Sequence, residues 1–185
     1  MNSSSKRIAM IAFGSMALSM GSAALAKNPN VGGAPMYETK NIVQNAVNSK
    51  DHTTLVAAVK AAGLADTLSG PGPFTVFAPT NAAFGKLPAD TVDTLVMPEN
   101  KATLTNVLTY HVVPGRLTAA SIGAKIKAGK GSARLTTVEG EPLIARMKGS
   151  ALMLTDARGN VARVTIPNVL QSNGVIHVID TVLMP

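Results

Sequence analysis

Near its C-terminus the chain reads Ser172-Asn173-Gly174-Val175-Ile176-His177-Val178-Ile179-Asp180, and this is its most informative segment. Asn-Gly is a turn sequence, because both residues tolerate positive φ. The Val/Ile run that follows is apolar on both alternating faces, which indicates a strand buried on both sides. Only His177 and Asp180 interrupt the run. We therefore expect both polar side chains to have hydrogen-bond partners inside the fold.

Two further motifs precede this segment, Phe74-Thr-Val-Phe-Ala-Pro-Thr-Asn-Ala-Ala-Phe84 and Tyr110-His111. The three together resemble the homology boxes of the fasciclin domain, in the family's order and at its spacing, over roughly Glu38 to Pro185. The resemblance implies an α+β fold, a β-wedge or sandwich with the helices of the N-terminal half packed around it. It also implies that the box residues are structural. These are Thr75, Phe77, Pro79, Thr80, Asn81, Phe84, Asn173, Gly174, His177 and Asp180.

The N-terminus has the features of a secretory signal peptide. Lys6 and Arg7 form a basic start, residues 8–20 are apolar, and Ala24-Leu25-Ala26 matches a cleavage site. No second apolar stretch is long enough to span a membrane. The prediction is a product exported to the periplasm or the extracellular space. The predicted segments are a signal peptide at 1–26, a flexible leader at 27–37 and a single fasciclin domain at 38–185.

The residue pattern changes along the chain from helical to strand-like. In the first half, apolar residues at helical spacing and capping residues predict helices around the strand Phe74–Ala78. These helices are expected at 42–47, from either Asp51 or Thr53 to 62, and at 64–68, 82–84, 89–96 and 98–111. In the second half, turn sequences separate short strands. These are Ala133–Val138, Pro142–Met147, Ala151–Thr155, Val161–Ile166 and Val175–Ile179. Helices first and strands later independently favour an α+β fold.

The net charge of +7 is concentrated in one part of the chain. Between Arg116 and Arg163, nine Lys or Arg accompany only three Asp or Glu. One interpretation is a surface for polyanions such as acidic polysaccharide, and the other is an ordinary solvated strand face. Nucleic acid is not expected, because the chain is exported and aromatic residues for base stacking are few. The candidate polyanion residues are Arg134, Arg146, Lys148, Arg158 and Arg163.

The sequence contains no recognisable catalytic constellation. With no cysteine, disulfides and thiolate sites are excluded. The nucleophile elbow, zinc-protease and phosphate-loop motifs are also missing, so we predict no enzyme, no cofactor and no metal site. Of the histidines, His52 lies beside Asp51 at a helix start and is expected to be exposed. His111 and His177 lie in apolar runs and are expected to be buried and structural.

The resemblance implies extracellular adhesion, with a cell-surface or matrix protein or an acidic polysaccharide as partner. Family members with integrin-linked activity carry an acidic residue before isoleucine, where this chain has Ile166-Pro167-Asn168-Val169-Leu170. Because asparagine replaces the carboxylate, integrin binding is not expected. The Tyr-His element discussed for adhesion is present. The candidate binding residues are Tyr110, His111, Asn168 and Val169.

An apolar small ligand is the alternative function. Some secreted fasciclin-domain proteins bind pigments such as carotenoids, and methionine side chains adapt to irregular apolar ligands. Methionines in the predicted domain are Met97, Met147, Met153 and Met184. Because methionine also fills cores, the sequence alone leaves the two functions open.

Overall fold

A computed structural model describes residues 28–185, so the predicted signal peptide lies outside the described residues. The seven α-helices lie in the first two thirds of this range. They are α1 (Ile42–Ala46), α2 (Thr53–Ala62), α3 (Ala65–Ser69), α4 (Asn81–Phe84), α5 (Ala89–Val96), α6 (Lys101–Tyr110) and α7 (Ala119–Ala128). The strands are β1 (Asn30–Val31), β2 (Ala34–Pro35), β3 (Phe74–Pro79), β4 (Val112–Pro114), β5 (Ala133–Thr136), β6 (Pro142–Lys148), β7 (Ala151–Thr155), β8 (Val161–Gln171) and β9 (Gly174–Ile179).

The main sheet is seven-stranded, with the order β4-β3-β9-β8-β7-β6-β5. β3 and β9 are parallel, and the other neighbouring pairs are antiparallel. Beyond the end of β5, the Val138 amide donates to the Val112 carbonyl of β4 at 2.7 Å, which brings the two edges of the sheet together. The α+β prediction is confirmed.

The central strands β3 and β9 have a hydrophobic core on each face. Val76 and Ile176 belong to the first core, which they share with helices α1, α2 and α6. Phe77 and Ile179 belong to the second, which they share with α7 and the strands β5–β8. This arrangement buries β9 at every position, as the continuous apolar run predicted.

Of the segment predicted as a flexible leader, residues 28–37 are part of the folded domain, which corrects that prediction. Asn30–Pro35 forms the β1–β2 hairpin, and Val31 and Met36 are only 3% and 6% exposed, within the first core. The side chain of Asn28 also pairs with the backbone of Leu170. The Gly, Pro and Asn residues of this segment form a tight turn. Burial of the Val31 and Met36 side chains packs the turn against the first core.

Three other elements differ from prediction. Helix α7 was not predicted, because only Ile122 and Ile126 are buried on it and Gly123 lies between them. The short strand β4 was not predicted; the helix predicted to end at residue 111 ends as α6 at Tyr110, and β4 begins two residues later. β8 continues to Gln171 through register shifts, well beyond its predicted end at residue 166. Among residues 28–185, no helix is long and apolar enough to cross a membrane.

Candidate functional site

Hydrogen bonds at the turn after β3 connect the starts of helices α2 and α4. Thr80 caps α4 by accepting a hydrogen bond from the Ala83 amide at 3.2 Å. The side chain of Asn81 accepts from the Thr54 amide at 3.0 Å and donates to the Lys50 carbonyl at 2.8 Å. The polar pair therefore ties the start of α2 to the end of the sheet.

Asn173 connects three separate segments at the start of β9. Its Oδ1 accepts from the Ile42 amide at 3.0 Å, and its Nδ2 donates to the carbonyls of Leu68 and Gly70 at 2.8 and 2.9 Å. The residue is 6% exposed. All three hydrogen bonds connect Asn173 to the backbone of other segments inside the fold, so Asn173 is a scaffold residue.

The apolar box residues are buried, and Gly174 allows two strands to approach closely. Phe77, Pro79 and Phe84 are buried. At Gly174, an added Cβ would lie 2.1 Å from the carbonyl oxygen of Phe74 on β3. Only glycine allows the two parallel strands to approach this closely.

Tyr110 is fully buried at the end of α6. Its hydroxyl donates to the Pro142 carbonyl at 3.1 Å and accepts from the Ala157 amide at 2.9 Å. Burial raises the pKa of this phenol, so the hydroxyl remains a neutral donor. The side chain connects the helical half of the molecule to β6 and to the turn after β7.

His111 is 2% exposed and bonded at both ring nitrogens. Nδ1 donates to the Val107 carbonyl at 2.7 Å, and Nε2 accepts from the Leu183 amide at 3.0 Å. Burial lowers the pKa of His111 to about 4, with the Val107 carbonyl opposing the shift. The predicted binding surface at Tyr110 and His111 is corrected here: both side chains are interior, so neither contacts a partner directly in this conformation.

Thr75 on β3 and His177 on β9 both hydrogen-bond to the backbone of Leu117. Thr75 Oγ1 donates to the Gly115 carbonyl at 2.6 Å and accepts from the Leu117 amide at 2.8 Å. His177 Nε2 bonds the Leu117 carbonyl at 2.8 Å, and the ring stacks on Phe77 with centroids 5.6 Å apart. Burial lowers the pKa of His177, with the Leu117 carbonyl opposing the shift. The pair fixes the chain that leads into α7.

Asn168 and Val169 lie on an irregular part of β8 and differ in exposure. Asn168 is exposed with φ of 58°, within the register shift between Ile166 and Val169, and its Oδ1 accepts from the Ala119 amide at 2.8 Å. Val169 is fully buried. Of the two, only Asn168 can contact a partner.

Asp180 is half-buried at the end of β9, more exposed than its flanking apolar run predicted. Its Oδ1 accepts from the Arg163 amide at 2.9 Å and from the Thr181 hydroxyl at 3.0 Å. The Asp180 amide in turn donates to the Arg163 carbonyl at 3.1 Å. The carboxylate thus extends the pairing between β8 and β9 by one residue.

The strand register determines where the predicted polyanion residues lie. Arg146 pairs with Met153, and Met153 pairs with Arg163, while Arg134 pairs with Ile144 in the adjacent row. Residues paired across a sheet share a face, and residues two apart on one strand do so as well. We call the exposed side of β5–β8 the cationic face. Its four cations are Arg134, Arg146, Lys148 and Arg163.

Arg158 lies away from the cationic face. It occupies the turn between β7 and β8, and its Nε donates to the carbonyl of the C-terminal residue Pro185 at 2.8 Å. Helix α7 covers the opposite side of β5 and β6, through Ile122 and Ile126. The cationic face therefore has no covering element among the described residues.

An apolar cavity of about 50 Å³ lies between helices α1–α3 and the strands β3 and β9. Hairpin β1–β2 and α1 form its roof through Val31, Met36 and Ile42, and α2 forms a wall through Leu55 and Val59. The lining carries very few polar groups. It includes His52, a residue that the sequence did not single out as part of a site.

His52 is buried, at 3% exposure, which corrects the prediction that it is exposed. A 3-10 turn at Lys50–His52 precedes α2 and directs the ring inward, where Nδ1 bonds Ser49 Oγ at 2.8 Å. Burial lowers the pKa of His52, while the Ala78 carbonyl and Asp51 oppose the shift. Among residues 28–185, Nε2 makes no hydrogen bond of standard geometry, although the Ala78 carbonyl lies close enough to the ring to favour its protonated form.

The described residues contain no arrangement suited to metal binding or to catalysis by a triad. In 28–185, no three His, Asp or Glu side chains cluster so as to hold a metal ion. Ser49 and His52 resemble a nucleophile and a base, but Nε2 has no carboxylate to orient the ring. His111 and His177 both bond the backbone.

Comparison with known proteins gives consistent matches along the sequence. The family model described as "Fasciclin domain" matches residues 50–185. Protein sll1483 of Synechocystis sp. is 42% identical over 191 residues, covering 100% of this chain and 99% of that protein. Immunogenic protein MPB70 of Mycobacterium bovis is 40% identical over 145 residues, covering 76% of this chain and 66% of that protein.

A solved structure gives the same fold. A FAS1 domain pair from the insect cell adhesion molecule Fasciclin I aligns with a TM-score of 0.70 at 20% identity. The alignment covers 83% of this chain and 52% of that chain, so this protein spans about half of the pair. At this level of identity the likeness shows the architecture alone.

Proposed function

The chain belongs to the fasciclin family, and from this premise we propose that it is an exported, non-enzymatic binding module for adhesion or surface interactions. Its partner is an acidic polysaccharide that lies on the cationic face. The observation that carries the proposal is the in-register row Arg146–Met153–Arg163 on a sheet surface that no other element of residues 28–185 covers.

The spacing of these cations suits a polymer of repeated negative charge. Arg146 and Arg163 lie on strands separated by one strand, hence about 10 Å apart at the backbone. Lys148 extends the surface along β6, and Arg134 extends it along β5. A row of separate cations is matched better by a chain with several carboxylates or sulfates than by a single anion.

The side chains between the cations also favour a carbohydrate partner. Ile144 and Met153 are half-buried, and Val161 is 49% exposed on the same side of the sheet. Such apolar side chains can contact the C–H surface of a sugar ring while the neighbouring cations bind its acidic groups. No acidic side chain lies on the strands β5–β8 that form the cationic face.

The pigment alternative is not proposed. The cavity beneath α1–α3 measures about 50 Å³. A long polyene is many times larger than this space. Met147 is exposed and Met153 lies on the outer face of the sheet, so neither lines the cavity.

Affinity chromatography and titration with alginate test the proposal. We expect retention that weakens as salt rises, because exposed charges are screened beyond ~8 Å at physiological ionic strength. The double variant Arg146→Glu/Arg163→Glu should bind about tenfold more weakly or worse, with its melting temperature near that of the wild type.

The matched control is Lys125→Glu/Lys127→Glu, which changes the net charge equally. Both lysines are exposed on α7, which packs on the opposite side of the sheet. If both double variants lose binding to the same extent, net charge and not the cationic face is responsible. Full retention by the Arg146/Arg163 variant would also contradict the proposal.

A further inference from the structure

Helix α7 has an uncharged outer face with a lysine on each side of it. Its inner residues, Ile122 and Ile126, are buried in the second core. Lys125 and Lys127 adjoin Ile126 in the sequence, so they lie on opposite flanks of the helix and both are exposed. A flat surface can approach the helix closely, and both lysines can reach it. The outer face between them consists of small, exposed residues: Ala120, Ser121, Ala124 and Ala128.

The turn after α7 adds a third lysine. The amides of Gly129 and Gly131 donate to carbonyls in the last turn of the helix, each at 2.9 Å, which fixes this turn to α7. Lys130 lies between the two glycines and is exposed, with φ of 55°. Its amide donates to the Lys127 carbonyl at 3.1 Å, so the backbone of Lys130 lies at the end of the helix.

Met147 is an exposed apolar residue next to this turn. β5 pairs with β6 through Ala133 opposite Ala145, so the register continued by two residues places Gly131 opposite Met147. Met147 is two residues after the buried Ala145 and therefore lies on the same side of the sheet, the side that α7 covers. It is nevertheless 44% exposed. We call the following residues the α7 surface: Lys125, Lys127, Lys130 and Met147.

The segments that form the α7 surface carry no acidic residue. The sequence from Arg116 to Val138, which includes α7 and β5, contains no Asp or Glu, and neither does β6. Glu139 and Glu141 precede β6 and so lie towards the end of that strand opposite to Met147. A surface of lysines around an exposed apolar residue is typical of proteins that bind an anionic membrane interface.

We propose that the α7 surface binds the headgroups of an anionic lipid membrane, with α7 parallel to the membrane and Met147 inserted between the lipids. The lysines lie on both flanks of a helix and in the turn after it, which suits a plane of charges better than a single polymer chain. Each lysine near an anionic membrane strengthens binding about fivefold. Burial of Met147 adds to this attachment. The cationic face lies on the other side of the sheet, so the proposal does not depend on polysaccharide binding.

Sedimentation of the exported protein with lipid vesicles tests the proposal. We expect binding to vesicles of equal parts phosphatidylglycerol and phosphatidylcholine that weakens as salt rises, and no binding to phosphatidylcholine alone. The variant Lys125→Gln/Lys127→Gln should bind the anionic vesicles about 25-fold more weakly. The matched control is Arg146→Gln/Arg163→Gln, which removes the same charge from the cationic face and should bind them like the wild type.

The variant Met147→Gln provides a second measurement. It keeps the length of the side chain but removes its apolar character, so binding to the anionic vesicles should fall several-fold and become more sensitive to salt. All substituted residues are exposed, so the melting temperatures should stay near that of the wild type.

Three results would overturn the proposal. One is the absence of sedimentation with anionic vesicles at physiological salt. Another is an equal loss in the two double variants, which would make net charge responsible. The third is unchanged binding by Met147→Gln together with full displacement of the vesicles by heparin at matched charge, which would make the α7 surface a site for soluble polyanions.

Discussion

His111 accepts a hydrogen bond at Nε2 from the amide of Leu183, 72 residues later in the chain, at 3.0 Å. The opposite nitrogen, Nδ1, donates to the Val107 carbonyl at 2.7 Å. The ring must be neutral for both bonds to exist, because a protonated Nε2 would face the Leu183 amide with two donors opposed. The connection between α6 and the C-terminal segment therefore depends on the protonation state of one buried histidine.

The first prediction is that acid weakens the fold through its histidines. Burial lowers the pKa of His111 from 6.5 to about 4. Between these values the unfolded chain binds more protons, so stability is complete above pH 6.5 and is lost as the pH falls towards 4. His111 alone accounts for a loss of about 3 kcal/mol across that range. His52 and His177 act in the same direction.

Urea unfolding at pH 7.5 and pH 5 measures this effect, since most carboxylates stay ionised over that interval. We expect a clear fall in the free energy of unfolding at pH 5. The variant His111→Gln should be less stable at pH 7.5 but should lose less on acidification. Equal free energies of unfolding at the two pH values would contradict the buried neutral ring.

Short sequence patterns predicted those parts of the fold that depend on a few neighbouring residues. The Val/Ile run of β9 indicated burial on both faces, and the Thr80–Asn81 corner indicated a helix cap. Both are present. Helix α7 was missed because its buried face consists of Ile122 and Ile126 alone, too few to define a period.

The cationic face and the cavity are each formed by residues that lie far apart in the sequence, so no short sequence pattern predicts them. Whether Arg146 and Arg163 share a face depends on the register across β6, β7 and β8, which the turns between them set. The cavity combines residues as distant as Val31 and Ile176. His52 was predicted to be exposed because its neighbour is Asp51, whereas a 3-10 turn rotates it inward.

The second prediction concerns Asn173, which joins β9 to α1 and to the end of α3 through three hydrogen bonds. Replacement by Ala leaves the Ile42 amide and the carbonyls of Leu68 and Gly70 without these partners. We expect a loss of about 3 kcal/mol, at the upper end for a buried unsatisfied site. Thermal and urea unfolding measure it. The neighbouring exposed Ser172 gives the matched control, because Ser172→Ala should remain within ~0.5 kcal/mol.

The third prediction separates the geometry of Asp180 from its charge. The carboxylate accepts from one backbone amide and one hydroxyl and is half-buried, so Asp180→Ala should cost about 1 kcal/mol. Asp180→Asn keeps an acceptor oxygen in the same place and should lie close to the wild type in urea unfolding. If the Asn variant loses as much as the Ala variant, the charge and not the hydrogen bond stabilises this end of the sheet.

The last prediction compares two glycine-to-alanine changes that have opposite expected signs. At Gly174 the new Cβ would lie 2.1 Å from the Phe74 carbonyl oxygen and 3.1 Å from the Ile42 side chain. The backbone contact cannot relax without separating β9 from β3, the parallel pair at the centre of the sheet. Gly123 lies inside α7, and an added Cβ there has no atom within 4 Å apart from its chain neighbours and the backbone of its own helix.

Gly174→Ala should therefore lose several kcal/mol or fail to fold, because the strain falls on the main-chain pairing of the sheet. Gly123→Ala should gain about 0.5–1 kcal/mol, since alanine favours the helix and restricts the unfolded chain. Melting temperatures of the two variants decide the matter. A Gly174→Ala protein with wild-type stability would mean that β3 and β9 do not approach as closely as the structure places them. A destabilised Gly123→Ala protein would mean that α7 needs the freedom of glycine in its middle.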